Sequence, residues 1–367
     1  MKSKNLIRIR TLLFMLVVSS ALFVGSCKKD STSTPGVVDR ALLTKVVASA
    51  DSLSTAISTT DYDQLDINAY KATLATAKTA STSSTLTQAQ INSLVGQIKA
   101  AMKVLNSKAF GFINEALNLV AGWKFDEGTG TTATSYSTAK QVGTFTKGWT
   151  TLLANNAALP TWVDGVKGGK AIHLNNGAHL EVPYSPSFLP ASISISAWIK
   201  MDKPFWQNNV IVSQNYWYGY KFATQENGKP LFTERVNATT VHDFDAGDGV
   251  VAPNVWTQVA VSLNSAKDSL QFFINGTLTN TFTEADGGVG PLTQTLAFVI
   301  EGYTYTAQPF LIGSFATDAE IAAKPKNFDW ISVANVGSFE GSIDNLKIFN
   351  TALKPGQVKK LYNDEKP

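Results

Sequence analysis

The spacing of apolar residues changes once along this 367-residue chain, near Asn118, and that change sets what the chain can fold into. Before it, apolar residues recur at three- and four-residue steps. Leu42, Leu43, Val46, Val47, Ala50, Leu53 and Ile57 form one stripe, and Tyr70, Leu74 and Ala77 a shorter second. Ile91, Leu94, Val95, Ile98, Ala101, Met102 and Leu105 form a third. Such steps line up one face of an α-helix. Thr87 and Gln90 stand at capping-box spacing ahead of the third stripe. Three amphipathic helices of this size bury their stripes by closing into a bundle, expected over residues 37–110. After Asn118 the period becomes two. Ser192–Ile199, Trp256–Leu263 and Ser269–Ile274 alternate as strands with one buried face, and Asn275-Gly276 supplies the positive-φ pair of a tight hairpin. Short strands at this density, continuing almost to the C-terminus, predict one β-sandwich over 115–367. The expected fold class is multidomain: a small all-α three-helix bundle followed by an all-β jelly-roll sandwich.

The N-terminus reads as an address rather than as fold. Lys2, Lys4, Arg8 and Arg10 make a basic start without acid, and Leu12–Val24 is an apolar run of signal-peptide length, too short to span a bilayer comfortably. Val24-Gly25-Ser26-Cys27 resembles the lipobox of bacterial lipoproteins, in which small residues admit the backbone to a peptidase and the thiol takes the lipid. Cys27 is the only cysteine, so no disulfide competes for it. The resemblance implies a signal peptide over 1–26, lipidation of Cys27, and a membrane partner through that anchor. Residues 27–36 are polar and breaker-rich, a tether with nothing to bury. Lys28-Lys29-Asp30 loosely resembles the charged signals that send some Bacteroidetes lipoproteins to the cell surface, implying an outer-membrane location.

Removing the leader takes four of the 31 basic residues and none of the 28 acidic ones, so the mature chain is close to neutral. No basic patch is left for nucleic acid.

Two further resemblances carry the functional expectation. The helical segment from Leu42 to Leu105 resembles the FIVAR-type modules found beside glycan-active domains, as a spacer or a second binding unit. Residues 120–362 resemble laminin-G-like members of the concanavalin A-like lectin/glucanase superfamily. The markers, in order, are Val120–Gly130, Gly169–Leu174, Leu180–Pro183, the strand around Trp198, Trp256–Ala260, Phe273–Gly276 and Phe339–Asn350. The resemblance implies that the first and last strands are neighbours, and that Asp126 and Asp344 share a structural Ca²⁺, with Glu127 in reach of it. Trp198 and Trp256 are expected between the sheets. The cluster His242–Gly249 lacks the spacing of a calcium loop and reads as a turn.

Sugars need flat rings beside hydrogen-bonding groups. Trp206, Trp217, Tyr303 and Trp330, in segments between strands, are the candidate carbohydrate-binding residues. The superfamily also contains glycoside hydrolases, whose glucanase branch places two glutamates on one strand as Glu-x-Asp-x-Glu. That string does not occur, and Glu284-Ala285-Asp286 continues into glycines as a turn. The reading is therefore a non-catalytic glycan-binding surface lipoprotein, with protein partners in a glycan-uptake system. A glycoside hydrolase and a protein-binding scaffold stand as the alternatives.

Overall fold

The computed structural model describes residues 38–367, except 154–155, 204–208, 215–218, 236–239, 248–250, 288, 291, 293–297, 301–302, 306–307 and 324–336. Cys27 and the leader lie outside the described residues. The chain divides into two compact units, one ending at Ala109 and the other starting at Phe110. Among the described residues no helix is long and apolar enough to cross a membrane.

The first unit contains α1 (Ala41–Ala56), α2 (Gln64–Ser81) and α3 (Gln88–Ser107). Each buries the centre of the stripe expected of it, though Leu42 of the first is exposed. Leu43, Val46, Ala50 and Leu53 meet Ile67, Tyr70, Leu74 and Ala77, and Ile91, Leu94, Val95, Ile98 and Leu105 close the core. The α3 cap is the one its spacing predicts: Gln90 N–H donates to Thr87 Oγ1 and the Gln90 side chain accepts from Thr87 N–H. Arg40 donates to the carbonyls of Ser81, the last residue of α2, and of Ser83 just beyond it, satisfying groups the helix cannot.

The second unit is a sandwich of two eight-stranded antiparallel sheets. In chain order, β1 is Leu119–Trp123, β2 Thr132–Thr134, β3 Val142–Thr146, β4 Thr161–Asp164, β5 Lys170–Leu174 and β6 His179–Val182. Next come β7 Ile193–Met201, β8 Asn209–Gln214, β9 Tyr220–Thr224, β10 Pro230–Arg235, β11 Val241–Asp245 and β12 Thr257–Asn264. The last six are β13 Ser269–Ile274, β14 Thr277–Thr283, β15 Phe298–Ile300, β16 Tyr303–Tyr305, β17 Phe310–Ile312 and β18 Gly341–Phe349. The first sheet runs β14–β13–β12–β7–β18–β5–β4, with β1 also paired to β18. The second runs β11–β10–β9–β8–β17–β6–β3–β2, and β15–β16 form a separate ribbon. The opening and closing strands are neighbours as expected, with Trp123 opposite Leu346 and Leu119 opposite Phe349.

Alternation decides which side chains meet between the sheets. Ile193, Ile195, Ala197 and Ile199 of β7 pack there against Val212, Phe222, Phe232 and Phe310. Trp198 has the phase of Ser194 and Ser196, so it lies on the outer face, and the expectation that it fills the space between sheets is wrong. It is buried instead beneath α7 (Pro355–Glu365), stacked on Tyr362 and donating from Nε1 to Glu365 at 2.9 Å. Trp256 is likewise outside the core, half-buried, with Lys200 Nζ 5.5 Å from its ring centroid. Short helices cover the faces: α4 (Glu115–Asn118) precedes β1, while α5 (Thr150–Leu153) and α6 (Asp318–Ala323) bury Trp149, Leu153 and Ile321 with Ala223 and Leu231 of the second sheet. Residues 241–245, expected as part of a turn, form β11, the edge strand against β10.

Candidate functional site

Asp126, just past β1, and Asp344, within β18, are remote in sequence but belong to neighbouring strands of the sheet. Asp126 follows Phe125, whose positive φ of 55° turns the chain out of β1. Asp344 sits where β18 bulges, followed by Asn345 at φ 46°. Both carboxylates address the short β4–β5 connection. Asp126 Oδ1 accepts from Lys170 N–H at 3.0 Å, and Asp344 Oδ2 accepts from Val166 N–H at 2.8 Å. Asp344 Oδ1 accepts from Asn345 N–H at 2.7 Å. The connection needs glycine at Gly169, where φ is +79° and a side chain would run into Asp126.

Asp344 is 3 % exposed while Asp126 is exposed. Burial first, with the charge of Asp126 adding to it, pushes the Asp344 carboxyl up to about 6 against the pull of its two backbone donors. Among the described residues neither aspartate has a cationic side chain within ion-pair distance. Two carboxylates that repel one another, one of them desolvated, suit a hard cation with oxygen ligands. No group of three or more His, Cys, Asp or Glu among the described residues could hold a metal, so carbonyls and water would complete its shell. Glu127, expected in reach of the ion, accepts from Thr134 N–H at 2.7 Å and ties β2 to the turn.

Three of the four candidate aromatics, Trp206, Trp217 and Trp330, lie outside the described residues, and Tyr303 begins β16, of which the backbone alone is described. The strands around them sort the four into two pairs. The segment with Trp206 leads into Asn209, and the segment with Trp330 leads into Ser338, which bridges to Val210. The segment with Trp217 leaves Gln214, and the Tyr303 ribbon precedes Phe310, which pairs with Gln214. The pairs thus attach at opposite ends of β8, about 17 Å apart for a six-residue strand.

The second sheet also carries polar side chains. On its outer face the cross-strand row Ser213–Lys221–Thr233–Asp243 is polar, with Ser213, Lys221 and Thr233 fully buried and Thr233 Oγ1 donating to Asp243. Burial lowers the Lys221 ammonium to about 8. Nearby, buried His179 joins the Gly177 carbonyl through Nδ1 and Glu181 through Nε2 at 3.3 Å. The Glu320 carboxyl is raised by burial, yet it is committed to the start of α6, accepting from Thr317 N–H and Oγ1. On the inner face, Tyr220, Glu234 and His242 form another row that sequence reasoning missed, because the register that joins them is not written in any one strand. Glu284–Asp286 is the expected turn, capped by Thr283.

Residues 174–317 match the family model for the concanavalin A-like lectin/glucanases superfamily, of laminin-G type. That stretch is similar to concanavalin A-like domains. No curated protein matches the chain. Among solved structures, domain 4 of a GH43 extracellular arabinanase from Geobacillus stearothermophilus, in complex with arabinotriose, is 20 % identical. It matches over 68 % of this chain and 100 % of its own, at a TM-score of 0.45. The binding domain of Paraclostridial Mosquitocidal Protein 1 is 16 % identical, over 67 % of this chain and 52 % of its own, at 0.44. The binding domain of Botulinum Neurotoxin DC in complex with SialylT is 12 % identical, over 68 % and 52 %, at 0.41. The match thus spans about half of each toxin chain. With TM-scores below 0.5, these likenesses bear on neither ligand nor chemistry.

Proposed function

We propose that this chain is a non-catalytic carbohydrate-binding lipoprotein of the outer membrane, held at the cell surface through Cys27. The observation that carries the reading is the match of residues 174–317 to a superfamily of lectins and glucanases, set in a two-sheet sandwich. The helical unit acts as a FIVAR-like spacer, and the glycan is gripped by the segments bearing Trp206, Trp217, Tyr303 and Trp330. A calcium ion, when bound, supplies charge neutralisation between Asp126 and Asp344. Those residues hold the β4–β5 connection against β18 by their backbone acceptances, which supports a structural role for the ion.

The test is affinity electrophoresis of the full chain in gels containing xylan, arabinan, mannan or β-glucan, with calcium or a chelator. Retardation by at least one polysaccharide, lost in Trp217→Ala or Trp330→Ala, is the expected result. Release of reducing sugar from any of them would replace the reading with a glycoside hydrolase. Passage unretarded through all four, with capture of a protein partner, would replace it with a scaffold.

A further inference from the structure

A line of polar side chains crosses the inner face of the second sheet, separate from Asn209 and Thr224, which bond to Met201 Sδ. Tyr220 of β9 pairs with Glu234 of β10, and Glu234 pairs with His242 of β11. Alternation turns all three toward the space between the sheets, in phase with Phe222, Phe232 and Phe244 of the core. Tyr220 and Glu234 are both 0 % exposed. Tyr220 Oη, Glu234 Oε2 and His242 Nδ1 are each buried without a hydrogen-bond partner. Folded proteins leave few such atoms unmet, and three at consecutive cross-strand positions call for a common explanation.

The chemistry of the three narrows it. Glu234 Oε1 accepts from Gly290 N–H at 3.1 Å, so Oε2 is the side left over. Burial first, with Asp268 adding to it, pushes this carboxyl up to about 8, so near neutrality it carries its proton and gives as well as accepts a hydrogen bond. The tyrosine hydroxyl does both, and the imidazole does either according to tautomer. A set without fixed charge that both donates and accepts suits hydroxyl groups better than an ion. The Tyr220 ring, stacked on Phe232 with centroids 5.9 Å apart, gives the apolar flank that a sugar's CH face requires. His242 is half-buried on the edge strand, where the row meets solvent. Tyr220 also pairs with Gln214, so the row lies at the end of β8 where the segments bearing Trp217 and Tyr303 attach.

We propose that Tyr220, Glu234 and His242 form the hydrogen-bonding subsite for one sugar unit of a glycan, entered from the β11 edge. This rests on the glycan-binding reading above and names where in the sandwich the sugar goes. The test is calorimetric titration of the full chain with trisaccharides of xylan, arabinan, mannan and β-glucan, comparing wild type with Tyr220→Phe and His242→Phe. Alongside it, melting temperatures are measured without sugar. Tyr220→Phe is expected to weaken binding about fivefold or more while leaving the melting temperature unchanged or higher, because it deletes a hydroxyl the fold does not bond. His242→Phe is expected to weaken binding in the same way. A melting temperature lowered by Tyr220→Phe would mean the hydroxyl is bonded within the fold, and would overturn the subsite. Affinities within twofold of wild type in both variants would leave ordered water as the occupant and overturn the subsite alone. A wild type that binds none of the four would overturn the glycan reading, and the subsite with it.

Discussion

Asp344 is held where a carboxylate is costly, 3 % exposed and facing a second acid. Its folded-state pKa of about 6 lies above the unfolded value of about 3.9, so the folded chain binds this proton more tightly than the unfolded one. This one group therefore makes the fold more stable as pH falls from about 6 toward 4, and less stable at neutrality. A cation between the two acids reverses the penalty while both are ionised. Calcium is accordingly expected to raise the melting temperature at pH 7 and to lose that effect by pH 5, read by differential scanning fluorimetry. The calcium-dependent difference isolates this pair from Glu234, Glu320 and Glu365, whose carboxyls are also raised by burial. Asp126→Asn keeps an acceptor for Lys170 N–H and removes one charge, so it should abolish the calcium response with little other cost. A full calcium response in that variant would remove Asp126 from the site.

At the scale of elements, the β13–β14 hairpin shows what local chemistry specifies. Asn275 and Gly276 take φ of 50° and 69°, as a two-residue turn demands. Gly276 also lies against α7, where a Cβ would come 2.7 Å from that of Tyr362. Gly276→Ala thus strains the turn and lifts the helix, and is expected to cost about 1–3 kcal/mol in urea unfolding. A loss under 0.5 kcal/mol would show that the helix yields. The helices, the Thr87 cap and this hairpin were legible because each rests on residue type at fixed spacing, whereas the β1–β18 pairing was legible only through the family resemblance. The phase of Trp198 was also legible, since it shares the serine positions of its strand, but a tryptophan there implies a cover that only the fold reveals. That cover is the end of the chain, where Glu365 meets both Trp198 and Lys347. The Tyr220–Glu234–His242 row was hidden for a related reason: its members come from three strands, and pairing register is a property of the sheet.

Taken as a whole, the main cores of the two units share no residue among those described, one being all-helical and the other lying between the sheets. Each is a separate compact unit, so two thermal transitions are expected by calorimetry. Thr87→Ala, which removes the α3 cap at a cost of about 1 kcal/mol, should lower one transition and leave the other in place. Calcium should move only the other. A single transition displaced by both treatments would show that the units melt together.

The strand Gly341–Phe349 is the one to which β1, β5 and β7 are all paired. Until Gly341–Phe349 pairs, the first sheet is three pieces, β14–β13–β12–β7, β5–β4 and β1 alone, with bare edges between them. A chain in which this strand has yet to pair is therefore loose across the whole first sheet, and one late docking step seals the sandwich.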